Sequence, residues 1–173
     1  VTVTASLGAF NANATLNLGA FAYVANADSN DVSVFTIDPA TGALSEVGTP
    51  VTAGLSPQSV TVDPSGRFAY VANRNSNNVS VFTIDSSTGA LTPGTPVGAG
   101  NRPVSVTVDP SGRFAYATNR NSDNVSVYTI NSTTGALTPG TAVGAGLGPT
   151  SVTVDPSGRF AYVANLISNN VSV

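Results

Sequence analysis

An eleven-residue segment, Val-Thr-Val-Asp-Pro-Ser-Gly-Arg-Phe-Ala-Tyr, occurs three times in this 173-residue chain, at 60–70, 106–116 and 152–162. Tyr70, Tyr116 and Tyr162 are therefore 46 residues apart, and Tyr23 precedes Tyr70 by 47. A fixed period in the forties restricts the fold to solenoids, propellers or arrays, in which each unit buries its apolar faces against its neighbours. The units are rich in Val, Thr, Phe and Tyr and are punctuated by Gly and Pro. That content excludes helical repeats and predicts an all-β chain.

The chain reads as one repeat domain, 1–173, with units at approximately 1–51, 52–97, 98–143 and 144–173. Each unit divides into four short strands. In the second unit, strand a is Ser59 to Val62, followed by the turn Asp63-Pro64-Ser65-Gly66. Pro sets φ near −65° there and Gly tolerates a positive φ. Strand b runs from Arg67 to Asn73, strand c from Asn78 to Asp85, and strand d from Ala90 to Val97. Val79 and Val81 point to one face of strand c, and Phe82 and Ile84 to the other. A strand that is apolar on both faces lies in a sheet packed between two others, as the blades of a β-propeller do. The expected fold is about four four-stranded blades of ~46 residues, a partial propeller or half of a larger ring.

The two ends complement each other. The chain stops inside strand c of the fourth unit, and Val1-Thr2-Val3-Thr4 stands where a strand d would be. Pairing of this segment with the edge at Asn169 to Val173 would close a ring within one chain or join two chains. Val1, Val3, Val171 and Val173 are thus candidate assembly residues. Leu166 and Ile167 join them, because they replace an Arg-Asn pair in an otherwise polar loop. The first residue is Val rather than Met, which points to processing or to a longer parent.

Several chemistries have no residues to carry them. There is no Cys, His, Trp, Met or Lys, so disulfides, thiol nucleophiles, His-containing triads, Schiff bases and P-loops are excluded. A net charge of −3 with six dispersed arginines argues against a nucleic-acid partner. No apolar stretch approaches a membrane span, and no signal peptide is visible. Abundant Thr, Ser and Asn indicate a secreted or cell-surface protein.

Tyr-Val-Ala-Asn at 23–26, 70–73 and 162–165, and Tyr-Ala-Thr-Asn at 116–119, resemble the YVTN signature of the lactonase-type β-propellers. The run Asn-Val-Ser-Val-Phe-Thr-Ile-Asp followed by Thr-Gly-Ala-Leu is similar to repeats of that superfamily, which includes 6-phosphogluconolactonase-like enzymes. The resemblance covers nearly the whole chain and implies a propeller. Members usually have seven blades, and here about four fit. The acid–base histidine that the resemblance implies has no counterpart, and the same blades also serve as antigens and binding proteins.

Asp63, Asp109 and Asp155 recur in one turn and are read as caps of its amides. Arg67, Arg113 and Arg159 follow that turn and are read as blade-to-blade contacts. The d–a and b–c connections open on one face and gather Arg74, Arg102 and Arg120 with Asn75, Asn101, Asn121 and Gln58. These groups suit a carboxylate, a sugar or a protein partner. Asp28 and Asp31 faintly resemble a calcium loop without completing its pattern, so no metal or cofactor is expected. Asn13, Asn78, Asn124, Asn131 and Asn170 begin Asn-x-Ser/Thr sequons, with Asn131 in a turn the best acceptor. The scarcity of catalytic residue types leads to the expectation of a non-enzymatic structural or adhesive module, self-associating or binding another surface protein or a glycan. The alternative is a lactonase-like hydrolase or a sugar-binding propeller that uses the Arg/Asn face.

Overall fold

The computed structural model describes residues 4–7, 10–15 and 20–173, the first two segments as backbone strands only. Strands β1 (Thr4–Leu7) and β2 (Phe10–Thr15) pair with each other, antiparallel. Four further sheets follow in chain order. The first contains β3 (Ala20–Asn26), β4 (Asp31–Ile37), β5 (Leu44–Glu46) and β6 (Val51–Thr52). The second contains β7 (Pro57–Val62), β8 (Phe68–Asn73), β9 (Asn78–Ile84), β10 (Leu91–Pro93) and β11 (Val97–Gly98). The third repeats it with β12 (Pro103–Val108), β13 (Phe114–Asn119), β14 (Asn124–Ile130), β15 (Leu137–Pro139) and β16 (Val143–Gly144). The fourth has β17 (Pro149–Val154), β18 (Ala161–Asn165) and β19 (Asn170–Ser172). These are the four blades of a partial β-propeller.

Two details differ from the sequence reading. The outer strand d is not continuous: β10 and β11 both pair with β9 but are separated by Gly94-Thr95-Pro96. Pro96 has no amide to give to the ladder, and the same interruption recurs at Gly140-Thr141-Ala142 without a proline, so the break belongs to the repeat. In the first unit β2 occupies the sequence position of strand a, yet it pairs with β1, and among the described residues β3 forms the edge of its sheet. Val1 and Val3 lie outside the described residues.

The doubly apolar strand c behaves as the pattern requires. Val79 and Val81 join Tyr70, Val106, Tyr128 and Leu137 in a buried cluster between the second and third blades. Phe82 and Ile84 join Val32, Val34, Ala69 and Val71 in another between the first and second. Burying a Val or Phe side chain stabilises by about 1.5–3 kcal/mol, so these seams hold the blades together. The inner strands add polar links, as Ser59 Oγ accepts from Val106 N at 3.3 Å and Ser105 Oγ from Val152 N at 3.4 Å.

A clasp repeats at one end of the first and second seams. Tyr70 Oη donates to Gly135 O at 2.9 Å, and Tyr23 Oη donates to Gly89 O at 3.0 Å. The phenylalanine two residues before each tyrosine lies against the same glycine. Arg67 completes the second clasp by donating to the carbonyls of Ser132 (3.3 Å) and Thr133 (3.1 Å). The repeated Phe-Ala-Tyr and Thr-Gly-Ala-Leu segments are thus two halves of one contact, made by the first and second blades with the c–d turn of the blade that follows.

Candidate functional site

At the opposite end, backbone hydrogen bonds tie each b–c loop to the d–a connection. Arg74 N donates to Ser56 O and Asn75 N to Leu55 O, both at 3.0 Å. In the third blade Arg120 N donates to Arg102 O at 3.0 Å and Asn121 N to Asn101 O at 3.2 Å. The loops are also linked from blade to blade. Asn77 Oδ1 accepts from Arg102 N at 2.8 Å, Asn30 Oδ1 from Ser56 N at 2.7 Å, and Asp123 Oδ1 from Gly148 N at 2.7 Å. Asn30, Asn77 and Asp123 have φ between 50° and 63°, a region that Asn and Asp tolerate better than other side chains. Arg102 shares that conformation, with φ 57°.

The b–c and d–a segments therefore form one face, and Arg74, Arg102 and Arg120 stand on it half-buried, with Asn75, Asn101, Asn121 and Gln58 exposed. The Nε of Arg74 is buried without a hydrogen-bond partner. The other three arginines lie at the opposite end, each stacked on the phenylalanine that follows it, with Arg67 4.9 Å from the ring centre of Phe68. Clefts of about 150, 270 and 170 Å³ follow the seams and the opposite end; Ala99 and Gly100, in the connection that carries Arg102, line the second, and the side chains of Arg74, Arg102 and Arg120 line none of them.

Most carboxylates are committed to turns. Asp63 accepts from Ser65 N (3.1 Å), Arg67 N (2.9 Å), Phe68 N (2.8 Å) and the Ser65 hydroxyl. Asp109 and Asp155 repeat the pattern. The Ser157 hydroxyl, then the amide of Phe160, draw the Asp155 carboxyl down to about 2. Burial opposes the same effect at Asp109, but its hydroxyl and amide donors prevail and its carboxyl titrates below the ordinary value. Asp38 and Asp85 cap the c–d turns, and Asn131 does so without a charge. Asp31 accepts from Asn26 and Ser29. Among the described residues the side-chain carboxylates of Asp28, exposed in the first b–c loop, and of Glu46, on an outer strand, accept no hydrogen bond.

The asparagine that ends each Tyr-x-x-Asn segment is structural, a role not evident from the sequence. Asn73 is fully buried and donates to Asn78 Oδ1 and Ser80 Oγ, both at 2.8 Å, while accepting from Gly54 N at 3.2 Å. Asn119 and Asn165 make the same paired donations to Asn124 and Ser126, and to Asn170 and Ser172. Three of the sequons, at Asn78, Asn124 and Asn170, thus coincide with the acceptor pair of this bridge. Asn131 sits in an exposed turn, and the side chain of Asn13 lies outside the described residues. Leu166, Ile167, Val171 and Val173 are between 56% and 81% exposed. Ile167 lies over Gly148.

The model of the lactonase family, a seven-bladed β-propeller, matches residues 4–108 and 95–173. The chain belongs to this family. A candidate 6-phosphogluconolactonase from Bacteroides uniformis superposes with a TM-score of 0.79 at 21% identity, over 87% of this chain and 46% of that one. A protein from Lactobacillus plantarum gives 0.70 at 26% identity, over 83% and 48%. The periplasmic gluconolactonase of Pseudomonas aeruginosa gives 0.67 at 24% identity, over 75% and 38%. This chain spans about half the length, or less, of the solved structures it matches. No curated protein sequence matches it.

Membership in a lactonase family overturns the expectation of a non-enzymatic structural or adhesive module and favours the hydrolase alternative. The error was to infer function from missing residue types. A lactone is an ester, and opening it requires a base for water and a cation for the developing oxyanion. A carboxylate and an arginine meet both needs without histidine.

Proposed function

We propose that this chain forms part of a lactone hydrolase whose substrate site is the arginine loop face, and that the substrate is an anionic sugar lactone. The observation that carries the reading is the convergence of Arg74, Arg102 and Arg120 on one face, in a member of a lactonase family. The names of the similar structures from Bacteroides uniformis and Pseudomonas aeruginosa support the substrate class. Guanidinium groups bind carboxylate or phosphate through paired donors, and they stabilise an oxyanion once it forms. Asp28 is the one carboxylate of the described b–c loops that accepts no hydrogen bond, so it is the group to take a proton from water. The water oxygen bonds to the lactone carbonyl carbon as Asp28 accepts its proton. The ring carbon–oxygen bond then breaks, and the ring oxygen takes that proton back from Asp28, which gives the open hydroxy acid and restores the carboxylate.

The test is turnover of a panel of phosphorylated and unphosphorylated sugar lactones, with homoserine lactones as controls, with and without divalent cations. The expected result is hydrolysis of the anionic sugar lactones. It should fall at least about a hundredfold in Asp28→Asn and rise in KM in Arg74→Ala and Arg120→Ala. Absence of turnover with every lactone, or turnover unchanged by all three substitutions, overturns the proposal.

A further inference from the structure

The d–a connection and the b–c loop of a blade meet at one repeated backbone hydrogen bond, and the two residues that make it change from blade to blade. In the fourth blade Leu166 N donates to Gly148 O, in the second Arg74 N donates to Ser56 O, and in the third Arg120 N donates to Arg102 O, each at 3.0 Å. The same junction thus carries no charge, one charge and two. Arg102 and Arg120 are both half-buried, where like charges at neighbouring positions repel more than in open water. Among the described residues no carboxylate or carbonyl receives either guanidinium, whereas Arg67 at the other end of the blades reaches two carbonyls.

The backbone at the third junction is strained as well. Arg102 has a φ of 57°, and the equivalent Ser56 and Gly148 have 54° and 64°. Glycine adopts this conformation freely, and an arginine does not. Asn77 Oδ1 of the preceding blade holds Arg102 there by accepting from its amide at 2.8 Å. Asp123 Oδ1 holds the amide of Gly148 in the same way at 2.7 Å. The link to the preceding blade and the bond to the b–c loop both use the backbone alone, and glycine supplies both at 148. The arginine side chain at 102 is therefore surplus to the fold, and strained residues of this kind cluster where ligands bind.

We propose that Arg102 and Arg120 together form a subsite for a doubly charged oxyanion. Two guanidinium groups rooted at hydrogen-bonded positions direct paired donors at one anion, and the anion removes the repulsion between them. A dianion matches both charges, and a monoanion leaves one unmatched. In the hydrolase reading, on which this rests, the pair holds the charged group of the substrate.

The experiment is calorimetric titration of the 173-residue chain with inorganic phosphate, at about pH 8 and low salt, with acetate as the monoanion. Wild type should bind phosphate at least about tenfold more tightly than acetate. Arg102→Gly and Arg120→Ala should each weaken phosphate binding by at least about tenfold. Arg102→Gly should also have a Tm no lower than wild type, because it relieves the strained backbone. The proposal is overturned by a wild type that does not bind phosphate or binds acetate equally well. It is also overturned by affinity that either substitution leaves unchanged, or by a lower Tm in Arg102→Gly. Turnover plays no part in the titration, so a failed subsite and a failed hydrolase reading are told apart.

Discussion

A β-carbon placed on Gly135 would lie 2.3 Å from Cδ1 of Phe68, in the neighbouring blade. No non-bonded pair of carbons approaches so closely, and the Phe68 ring is buried. Gly135→Ala should therefore destabilise the chain by at least about 3 kcal/mol, through overpacking added to strain at its φ of 73°. Gly42→Ala, with the same φ and no neighbour, should cost only about 1 kcal/mol. Urea unfolding of the two variants separates the clash from the strain.

Asn73 concentrates three hydrogen bonds at a fully buried position. Asn73→Ala removes the partners of Asn78 Oδ1, the Ser80 hydroxyl and the Gly54 amide together. Unsatisfied buried groups of this kind cost about 1–3 kcal/mol each, with partial relief from water, so a loss of about 2–4 kcal/mol is expected. Asn26→Ala, in the half-buried equivalent of the first blade, should cost less. Denaturation midpoints at constant m-value measure both.

Acid should loosen the turns. The carboxyls of Asp85 and Asp155 are held at about 2 in the fold, Asp85 chiefly by the Ser87 hydroxyl and then the Thr88 amide. In the unfolded chain both return to about 3.9, so the unfolded state takes up protons first as pH falls. Their stabilisation is complete above about pH 5 and is lost as pH falls towards 2. The third blade holds the neutral Asn131 at the position of Asp85. Asp85→Asn should therefore fold normally and show a smaller drop in Tm between pH 5 and pH 2.

Arg67 and Arg159 occupy the same repeat position, but only Arg67 has carbonyls to receive it among the described residues. Arg67→Ala should cost about 0.5–1.5 kcal/mol, and Arg159→Ala should change the stability of the single chain by less than about 0.5 kcal/mol. Thermal unfolding at low protein concentration reads the difference.

The blade was legible because its evidence is periodic. Alternation within Asn78 to Ile84 specified both faces, and the turn Asp63-Pro64-Ser65-Gly66 announced its own caps. What joins the blades was harder to read, because Tyr70 and Gly135 are 65 residues apart and each looks unremarkable beside its sequence neighbours. The repeated Asn at 30 and 77, with Asp at 123, was the available signal for the loop-to-loop links. The set of arginines on one face was legible in the sequence, whereas the expectation of a non-enzymatic module came from composition and was overturned by the family match. Composition records which groups are missing, whereas the proposed role of Asp28 rests on hydrogen bonds that its carboxylate does not accept, which no sequence pattern displays.

The break in each complete outer strand has a consequence for life at high concentration. A β-sheet that ends in a long, straight, unpaired strand invites addition of further strands and growth towards amyloid. Here the outermost segments are two or three residues long, β5 with β6, β10 with β11, and β15 with β16. Their interruptions contain Gly48 and Pro50, Gly94 and Pro96, and Gly140. Such rims offer too short a template to seed a fibril, so a sequence made almost wholly of strand-forming repeats is protected from aggregation along its outer edges.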